Sequence, residues 1–453
     1  MSVSKRVVIT GVGVVSPIGI GTRAFWENLL AGKSGIKRIA QFDPSGFTCQ
    51  IGGEVPAYKI GDYVPKSYRK ATKVMARDIE VAVIAADDAF KDAGLKSKAY
   101  VEIPEFDHAR FGCNIGAGLI SAELNELTAA MHTARADGGL PASAGSVSGG
   151  GASGSSNKLD LRRWGAEGMN QLTPLWLLKY LPNMLACHVT IIHGLMGPSN
   201  TITCADSSSH LAIGEAFRTI QRGKADLAIC GGAESRINPM GLMRQQLLGR
   251  LNESHNDDPD AAVRPFDADA RGTVFGEGGG LLILEELEHA KKRGARIYAE
   301  LVGFAASQDA HSVTEPDPTG HSYGKAIENA LRDAKLSPRD VDLLVPHGLG
   351  IAAFDHAELK GLNKGFGEEL TRIALAPIKS QIGTLGAGCG ADAAAAVMSV
   401  HARTVPPARN TRKTTDGAPL NVSAEAREMP VNVAVSSVYS LGGQNAALVF
   451  RRA

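Results

Sequence analysis

Short apolar runs that end in glycine alternate with amphipathic runs along most of the chain, and this alternation limits the possible folds more than any other feature. The run at 6–17, RVVITGVGVVSP, is rich in β-branched residues and predicts a buried strand and turn. Residues 78–93 repeat apolar positions at helical spacing and stop at Gly94. Residues 109–118, ARFGCNIGAG, then predict a strand that enters a glycine turn. Such alternation is typical of parallel β-α units.

The same order of segments occurs twice. A helix, a charged loop and a strand that runs into glycines occupy 83–118 and occur again at 325–350. We interpret this as a duplicated α/β fold with an N-terminal half at 1–295 and a C-terminal half at 296–453. Two unrelated β-α units of similar composition are the alternative.

Two segments depart from this pattern. Residues 136–157, ADGGLPASAGSVSGGGASGSSN, contain no side chain large enough to build a core. They predict a flexible surface insertion, or a loop that only a partner orders. The basic stretch KSYRKATK at 66–73 is typical of a solvated helix face, and docking of an acidic carrier is the alternative.

Charge and cysteine content exclude several functional classes. The 453 residues carry a formal net charge of +1, so no global field attracts nucleic acid. None of the six cysteines forms a C-x-x-C pair and several lie in apolar runs, which predicts reduced thiols of a cytoplasmic protein. The N-terminus lacks a signal-peptide layout and no apolar run reaches about 18 residues, so we expect no membrane association. We expect no metal and no cofactor.

Residues 199–217, SNTITCADSSSHLAIGEAF, place two potential nucleophiles at the mouth of a predicted helix. Cys204 and Asp206 follow a strand-like run and are separated by one residue. Thiolates and carboxylates both serve as nucleophiles in enzymes, so the residue at the head of this helix decides the chemistry.

Six strings spread over nearly the whole chain resemble the β-ketoacyl-acyl-carrier-protein synthases, the condensing enzymes of fatty acid and type II polyketide synthesis. They are RVVITGVGVVSPIG at 6–19, FWENLLAGKSGI at 25–36, NMLACHVTIIHGLMGPS at 183–199, LAICGGAES at 227–235, the long run at 264–304 and LGGQNAALVF at 441–450. The resemblance implies a thiolase-like α/β fold with a duplicated, five-layered α-β-α-β-α architecture. It also implies a dimer and an acyl carrier protein as partner.

The resemblance implies that Asp206 occupies the nucleophile position. In the family, a Cys at the N-terminus of a buried helix is acylated, because the helix dipole and local donors favour the thiolate. That Cys lies nine residues after the Gly of GPS and six before the Ala of AIG. Counted from Gly197 and from Ala212, both positions are residue 206. Cys204 lies two residues earlier, and we interpret it as a buried packing thiol.

The remaining catalytic positions carry over in part. HGLGI at 347–351 matches the family's H-G-T-S-T, so His347 stands for the first of two histidines that assist decarboxylation and stabilise the enolate. KSQIGT at 379–384 matches K-S-x-x-G-H, so Lys379 is retained and Thr384 replaces the second histidine. Glu358 matches the family's Glu, and the resemblance implies that it forms a supporting charged pair with Lys379.

The positions of the substrate tunnel also differ from the family. Two threonines that meet the carrier's pantetheine arm are replaced by Leu349 and Ile351. Leu441 replaces the phenylalanine that gates the acyl pocket, just before the retained Gly442 and Gly443.

These changes together predict a protein that does not form an acyl-enzyme. An acyl-aspartyl group would be a mixed anhydride, which water removes more easily than a thioester. We therefore expect Asp206 to cap the helix, a contribution of about 1 kcal/mol. The resemblance offers the chain-length factor, a Cys-lacking homologue that forms a heterodimer with a catalytic ketosynthase, although those homologues usually carry Gln at this position.

Two other functions remain open from the sequence. In the first, the chain is an active 3-oxoacyl-acyl-carrier-protein synthase or a malonyl-carrier decarboxylase with an altered site. Alternatively, it is a homodimer that binds an acyl chain or a carrier without catalysis.

Overall fold

A computed structural model describes residues 4–136 and 158–453. The predicted insertion at 136–157 lies outside the described residues, apart from its first residue. The strands are β1 (Val7–Ser16), β2 (Gly19–Ile20), β3 (Ile36–Arg38), β4 (Ile51–Gly53), β5 (Phe111–Ala117), β6 (Ser199–Ile202), β7 (Leu227–Ser235), β8 (Glu277–Glu286), β9 (Ala299–Gln308), β10 (Leu343–Val345), β11 (Ala374–Leu375), β12 (Thr404–Val405), β13 (Arg427–Glu428), β14 (Val433–Tyr439) and β15 (Gln444–Arg451).

The helices connect these strands. They are α1 (Thr22–Leu30), α2 (Arg77–Asp92), α3 (Leu124–Thr133), α4 (Leu161–Ala166), α5 (Met184–His193), α6 (Ser208–Gln221), α7 (Pro239–Leu247), α8 (Leu287–Lys292), α9 (His321–Ala334), α10 (Ala352–Phe366), α11 (Lys379–Ile382) and α12 (Gly390–Ala402). The strands predicted at 6–17 and 109–118 and the helix predicted at 78–93 are confirmed as β1, β5 and α2.

The main sheet repeats one strand order in its two parts. From one edge the order is β6-β5-β7-β8-β1, and from the other edge it is β11-β10-β14-β15-β9. In each set the third strand along the chain lies at the edge, followed by the second, fourth, fifth and first. The two sets meet where β1 pairs with β9 over Val7, Val8 and Ile9. Helices α6 and α12 contribute to one apolar cluster with strands of both sets, which is the core of the molecule.

Two further observations concern the chain outside the main sheet. The described residues of Ser121–Leu181 form a separate compact unit, in which the Glu126 carboxylate accepts hydrogen bonds from Trp176 Nε1 (2.8 Å) and Lys179 Nζ (2.7 Å). The basic stretch is a 3₁₀ helix, Lys66–Val74, and its four basic side chains are exposed. In the described ranges, no helix has the length and apolar content needed to cross a bilayer.

Most of the cysteines lie in the core. All six cysteines are free, and Cys49, Cys113, Cys230 and Cys389 are buried. Burial raises the pKa of these thiols, so they pack as small apolar side chains.

Candidate active site

Asp206 lies in a sharp turn between a strand and a helix. The chain leaves β6 and enters the 3₁₀ turn Ala205–Ser207, from which α6 continues. Ala205 has a φ of 45°, a left-handed conformation that a residue other than glycine seldom adopts. This strained turn sets residue 206 at the head of a buried helix, as the sequence predicted, with its side chain 1% exposed.

The Asp206 carboxylate does not cap the helix. Neither of its oxygens accepts a hydrogen bond, and the helix start has no side-chain cap. The prediction of a cap was therefore wrong. The carboxylate instead lies 3.5 Å from Nη1 of Arg236, in an ion pair that is almost fully buried. Electrostatic attraction to a guanidinium has replaced hydrogen bonding to the backbone.

The surrounding cations keep Asp206 ionised. Burial by itself raises the pKa of this carboxyl, but the positive charges of Arg236, Arg250 and Lys379 lower it below its ordinary value. The side chain at the implied nucleophile position is therefore a carboxylate that carries a negative charge at neutral pH.

Arg236 joins Asp206 to a second carboxylate. Its Nε and Nη2 donate to the two oxygens of Glu234 at 2.9 and 3.2 Å, and Glu234 also accepts from the backbone N–H of Ala387 at 2.7 Å. The Glu234–Arg236 pair occupies space that two glycines leave open. A Cβ on Gly118 or on Gly386 would lie 2.0 Å from the Glu234 carboxylate, and Gly386 also has a φ of 60°.

A second guanidinium completes the charged cluster. Arg250 is 3% exposed and lies 5.4 Å from the ring centroids of both Phe275 and Phe354. Its Nη1 donates to the Gln245 side-chain oxygen at 3.2 Å, and its Nε has no partner. Arg250 is thus held by cation–π contacts rather than by a directly bonded carboxylate.

A cavity of about 400 Å³ opens onto this cluster. Asp206, Arg236 and Arg250 line it together with Leu441. The other lining residues are Ala117, Gly118, Leu119, Pro182, Thr203, Ala205, Glu234, Arg244, Gln245 and Leu248. The wall beside the implied nucleophile position therefore carries charged side chains next to apolar ones.

His347 lies just beyond strand β10, where the sequence placed it, but outside the cavity wall. The ring is fully buried, neither of its nitrogens has a hydrogen-bond partner, and Tyr439 packs against it edge-on at 4.8 Å between centroids. Burial and the nearby Lys379 lower the pKa of His347 well below its ordinary value. The imidazole is therefore neutral, and the surrounding side chains seal it from the cavity.

Glu358 supports the backbone of the histidine turn. Its two oxygens accept the N–H groups of His347 and Gly348, each at 2.8 Å, and the Tyr323 hydroxyl at 2.9 Å. Burial raises the pKa of Glu358 to about 7.

The expected pairing of Lys379 with Glu358 was wrong. Lys379 is fully buried and its ammonium donates to Oδ2 of Asp392, in the first turn of α12. Asp392 is the nearer carboxylate because α12 starts just after the short helix that carries Lys379, whereas the backbone N–H groups of the histidine turn occupy Glu358. Burial lowers the pKa of the Lys379 ammonium, and Asp392 more than offsets this effect.

Thr384 is buried at the position implied for the second histidine. Its hydroxyl shares a hydrogen bond with the Thr273 hydroxyl at 2.9 Å, so its polar group is already used within the protein. A threonine so engaged has no imidazole with which to polarise a carbonyl oxygen.

Cys204 is half-buried rather than fully buried, so its interpretation as a buried packing thiol was wrong in degree. It is not among the residues that line the cavity, although Thr203 and Ala205 on either side are. Burial raises the pKa of its thiol, which disfavours the reactive thiolate.

Of the implied tunnel residues, Leu441 alone lines the cavity at Asp206. Leu349 is buried within an apolar cluster of the C-terminal half, and Ile351 packs at the edge of that cluster. Gly442 and Gly443 have φ values of 84° and 85° and form the turn that precedes β15.

Sequence reasoning missed Glu234, Arg236, Arg250 and Asp392. One signal was available: Glu234 and Arg236 lie two residues apart at the end of a strand, so their side chains point to the same face. Spacing along the chain does not indicate the other two. Among the residues placed by the structure, no group of three or more His, Cys, Asp or Glu side chains is arranged to hold a metal ion.

Family comparisons match almost the whole chain. The model described as "Beta-ketoacyl synthase, N-terminal domain" matches residues 4–170 and 124–290, and "Beta-ketoacyl synthase, C-terminal domain" matches 298–412. The two domains lie on either side of the predicted boundary at 295/296, which stays a prediction.

Individual relatives and solved structures also match this chain over nearly its full length. The chain is 34% identical to a 3-oxoacyl-[acyl-carrier-protein] synthase 2 of Coxiella burnetii, covering 99% of each chain. It is similar to the ishigamide ketosynthase/chain length factor, with a TM-score of 0.82 and 26% identity, and to the structure of a type II PKS acyl-carrier protein in complex with its ketosynthase, with a TM-score of 0.80 and 27% identity. Each of these two matches covers 99% of this chain and 100% of the other. The predicted thiolase-like α/β fold is confirmed.

Proposed function

The chain belongs to the β-ketoacyl synthase family, and on that premise we propose that it is a non-acylating, chain-length-factor-like subunit of a ketosynthase heterodimer in fatty acid or polyketide synthesis. The buried, ionised Asp206 at the head of α6 carries this proposal, because the acylated residue of a condensing enzyme must offer a nucleophile that keeps its acyl group. The relatives named 3-oxoacyl-acyl-carrier-protein synthase 2 fix the family, while the residues at this site indicate a different role within it.

Decarboxylation of a malonyl substrate in this family relies on imidazole groups at the site. His347 is sealed in the interior and Thr384 is bonded to Thr273, so no imidazole of the described residues lines the cavity to stabilise an enolate.

An exposed sheet edge supports the partnership. Strand β6 lies at one end of the main sheet, and its residues are exposed or half-buried. An edge strand presents unpaired backbone groups to which another strand adds. We propose that β6 and α5, within 183–204, contact either a catalytic ketosynthase or a second copy of this chain, and that an acyl carrier protein serves the assembly.

The first test is the intact mass of the purified chain after incubation with octanoyl- and palmitoyl-carrier protein, beside a ketosynthase that retains its Cys. We expect an acyl adduct on the control and none on this chain, and no release of carbon dioxide from malonyl-carrier protein. An adduct would refute the non-acylating role, and carbon dioxide release would favour the decarboxylase.

A second test addresses the partner. Native mass spectrometry of the chain co-expressed with a Cys-bearing ketosynthase of the same organism should give a one-to-one heterodimer. A homodimer that excludes the ketosynthase would instead favour the acyl-chain or carrier-binding module.

A further inference from the structure

The charged side chains that line the cavity do not cancel one another. Three of them are guanidiniums and two are carboxylates, and they belong to Arg236, Arg244, Arg250, Asp206 and Glu234. Arg236 serves both carboxylates, because it bonds to Glu234 through two nitrogens and lies 3.5 Å from Asp206. One positive charge is therefore in excess among the residues of this wall.

Arg250 is a buried guanidinium with hydrogen-bonding capacity to spare. Among the described residues, its Nη1 donates to the Gln245 side-chain oxygen at 3.2 Å, and its Nε has no partner. Burial lowers the pKa of Arg250 more than the charge of Asp206 raises it, although a guanidinium stays protonated at neutral pH. An anion that accepts hydrogen bonds from Arg250 would offset this cost of burial.

The rest of the cavity wall is largely apolar and reaches the protein surface. Its apolar residues are Ala117, Leu119, Pro182, Ala205, Leu248 and Leu441. Leu119 and Leu248 are 66% and 39% exposed, whereas Asp206, Arg236 and Arg250 are at most 5% exposed. The cavity thus leads from leucines at the surface to buried charges, and hydrocarbon that covers these leucines is removed from water.

These features together define the class of ligand that suits the cavity. One carboxylate neutralises the excess positive charge, and its planar pair of oxygens matches the donors of a guanidinium. An alkyl tail on that carboxylate covers the leucines. The volume of about 400 Å³ suits a small ligand of this kind.

We propose that the cavity is a binding site for a free medium-chain monocarboxylic acid, whose carboxylate is held by Arg250 and whose tail lies against Leu248 and Leu441. Such binding goes beyond the proposed subunit role, because it concerns a free acid and requires neither an acyl-enzyme nor a carrier protein. Asp206 opposes it through its negative charge, which Arg236 offsets in part.

Isothermal titration calorimetry of the purified full chain at pH 7 compares three probes. Octanoate has the charge and the tail, octanamide has the same tail without the charge, and acetate has the charge without the tail. We expect octanoate to bind at least about tenfold more tightly than either of the others. Octanamide binding as tightly as octanoate would overturn the role of Arg250, acetate binding as tightly would overturn the role of the tail, and no binding of octanoate would overturn the site.

Arg250→Met tests the carboxylate contact, because it removes the charge and keeps an apolar side chain next to Phe275 and Phe354. It should weaken octanoate binding at least about tenfold and leave octanamide binding unchanged. The matched control is Arg218→Met, because Arg218 is ion-paired with Asp333 at 2.8 Å but does not line the cavity. An equal loss in this control, or no loss in Arg250→Met, would contradict the proposal.

Asp206→Asn keeps the proposal testable if Arg250→Met does not fold. Removing the opposing charge should tighten octanoate binding several-fold and leave octanamide binding unchanged. Octanoate binding that stays the same or weakens in the folded Asp206→Asn chain would overturn the proposed position of the carboxylate.

Leu248→Ser tests the tail contact. It should weaken binding of octanoate several-fold without changing that of acetate, whereas the control Leu247→Ser should change neither, because Leu247 is 79% exposed and does not line the cavity. Equal effects of the two substitutions would contradict the proposal. These titrations use no carrier protein and no partner subunit, so their outcome is separate from the acyl-adduct and heterodimer tests of the proposed function.

Discussion

Replacing Lys379 by methionine should destabilise the protein in a strongly pH-dependent manner. The side chains of Lys379 and Asp392 are 0% and 1% exposed, and Oδ1 of Asp392 already lacks a hydrogen-bond partner. Without the ammonium, Asp392 avoids a lone buried charge by taking up a proton. For a carboxyl with an ordinary pKa of 3.8, this uptake costs about 4.4 kcal/mol at pH 7, since each pH unit is worth about 1.36 kcal/mol.

This value agrees with the loss of about 3–5 kcal/mol expected when one partner of a buried pair is removed. At pH 5 the same proton costs only about 1.6 kcal/mol, so the destabilisation should shrink as the pH falls. Adding Asp392→Asn to Lys379→Met should recover most of the loss and remove its pH dependence.

Urea unfolding at pH 7 and pH 5 measures both effects. The matched control is Lys325→Met, because Lys325 pairs with Glu328 at 2.8 Å on an exposed helix face and should cost at most about 0.5 kcal/mol. A Lys379→Met loss no larger than that of the control would refute the reasoning. So would rescue by Glu358→Gln as complete as rescue by Asp392→Asn, because it would restore the pairing that the structure contradicts.

Three further predictions concern other buried groups. Burial and Glu234 raise the pKa of Asp78 to about 7, so the folded state holds a proton that the unfolded state releases. The stability of the fold should therefore fall as the pH rises from about 4 to about 7. Asp78→Asn should flatten this decline in thermal melts recorded from pH 5 to pH 8. Gly386→Ala would place a Cβ 2.0 Å from the Glu234 carboxylate and should strongly destabilise the fold. The control is Gly417→Ala, because Gly417 has a similar φ of 66° but nothing within 4 Å of its Cβ position, and this change should cost about 1 kcal/mol. Equal melting temperatures of the two variants would contradict this prediction. Cys204 should react with iodoacetamide several-fold more slowly at pH 7.5 than a free thiol of pKa about 8.5, measured by peptide mass, and a faster reaction would show that the thiolate is favoured.

The local elements of this fold could be predicted from sequence because their causes are local. The β-branched run of β1 and the helical periodicity of α2 each lie within a short window, and Gly94 marks where α2 stops. The turn that carries Asp206 also lies between a recognisable strand and a recognisable helix.

The electrostatics of the site could not be predicted in the same way. Whether Lys379 pairs with Asp392 or with Glu358 depends on which carboxylate the packing of α12 brings to the ammonium, and spacing along the chain does not encode this. The expected helix cap at Asp206 failed for a similar reason, because Arg236 attracts the carboxylate away from the backbone. Long-range charge pairs are products of the folded core.

The pairing of β1 with β8 has a consequence for the folding of this protein during translation. Val7 lies opposite Glu286, so the first strand of the chain waits for a partner about 280 residues downstream. At about 5–20 residues per second, translation leaves this apolar strand without its neighbour for roughly 15 to 55 s. Strands β9 and β15 repeat the situation over a shorter interval. The nascent chain therefore exposes the unpaired apolar edge of β1 throughout this interval, and chaperones that bind extended apolar segments can bind there.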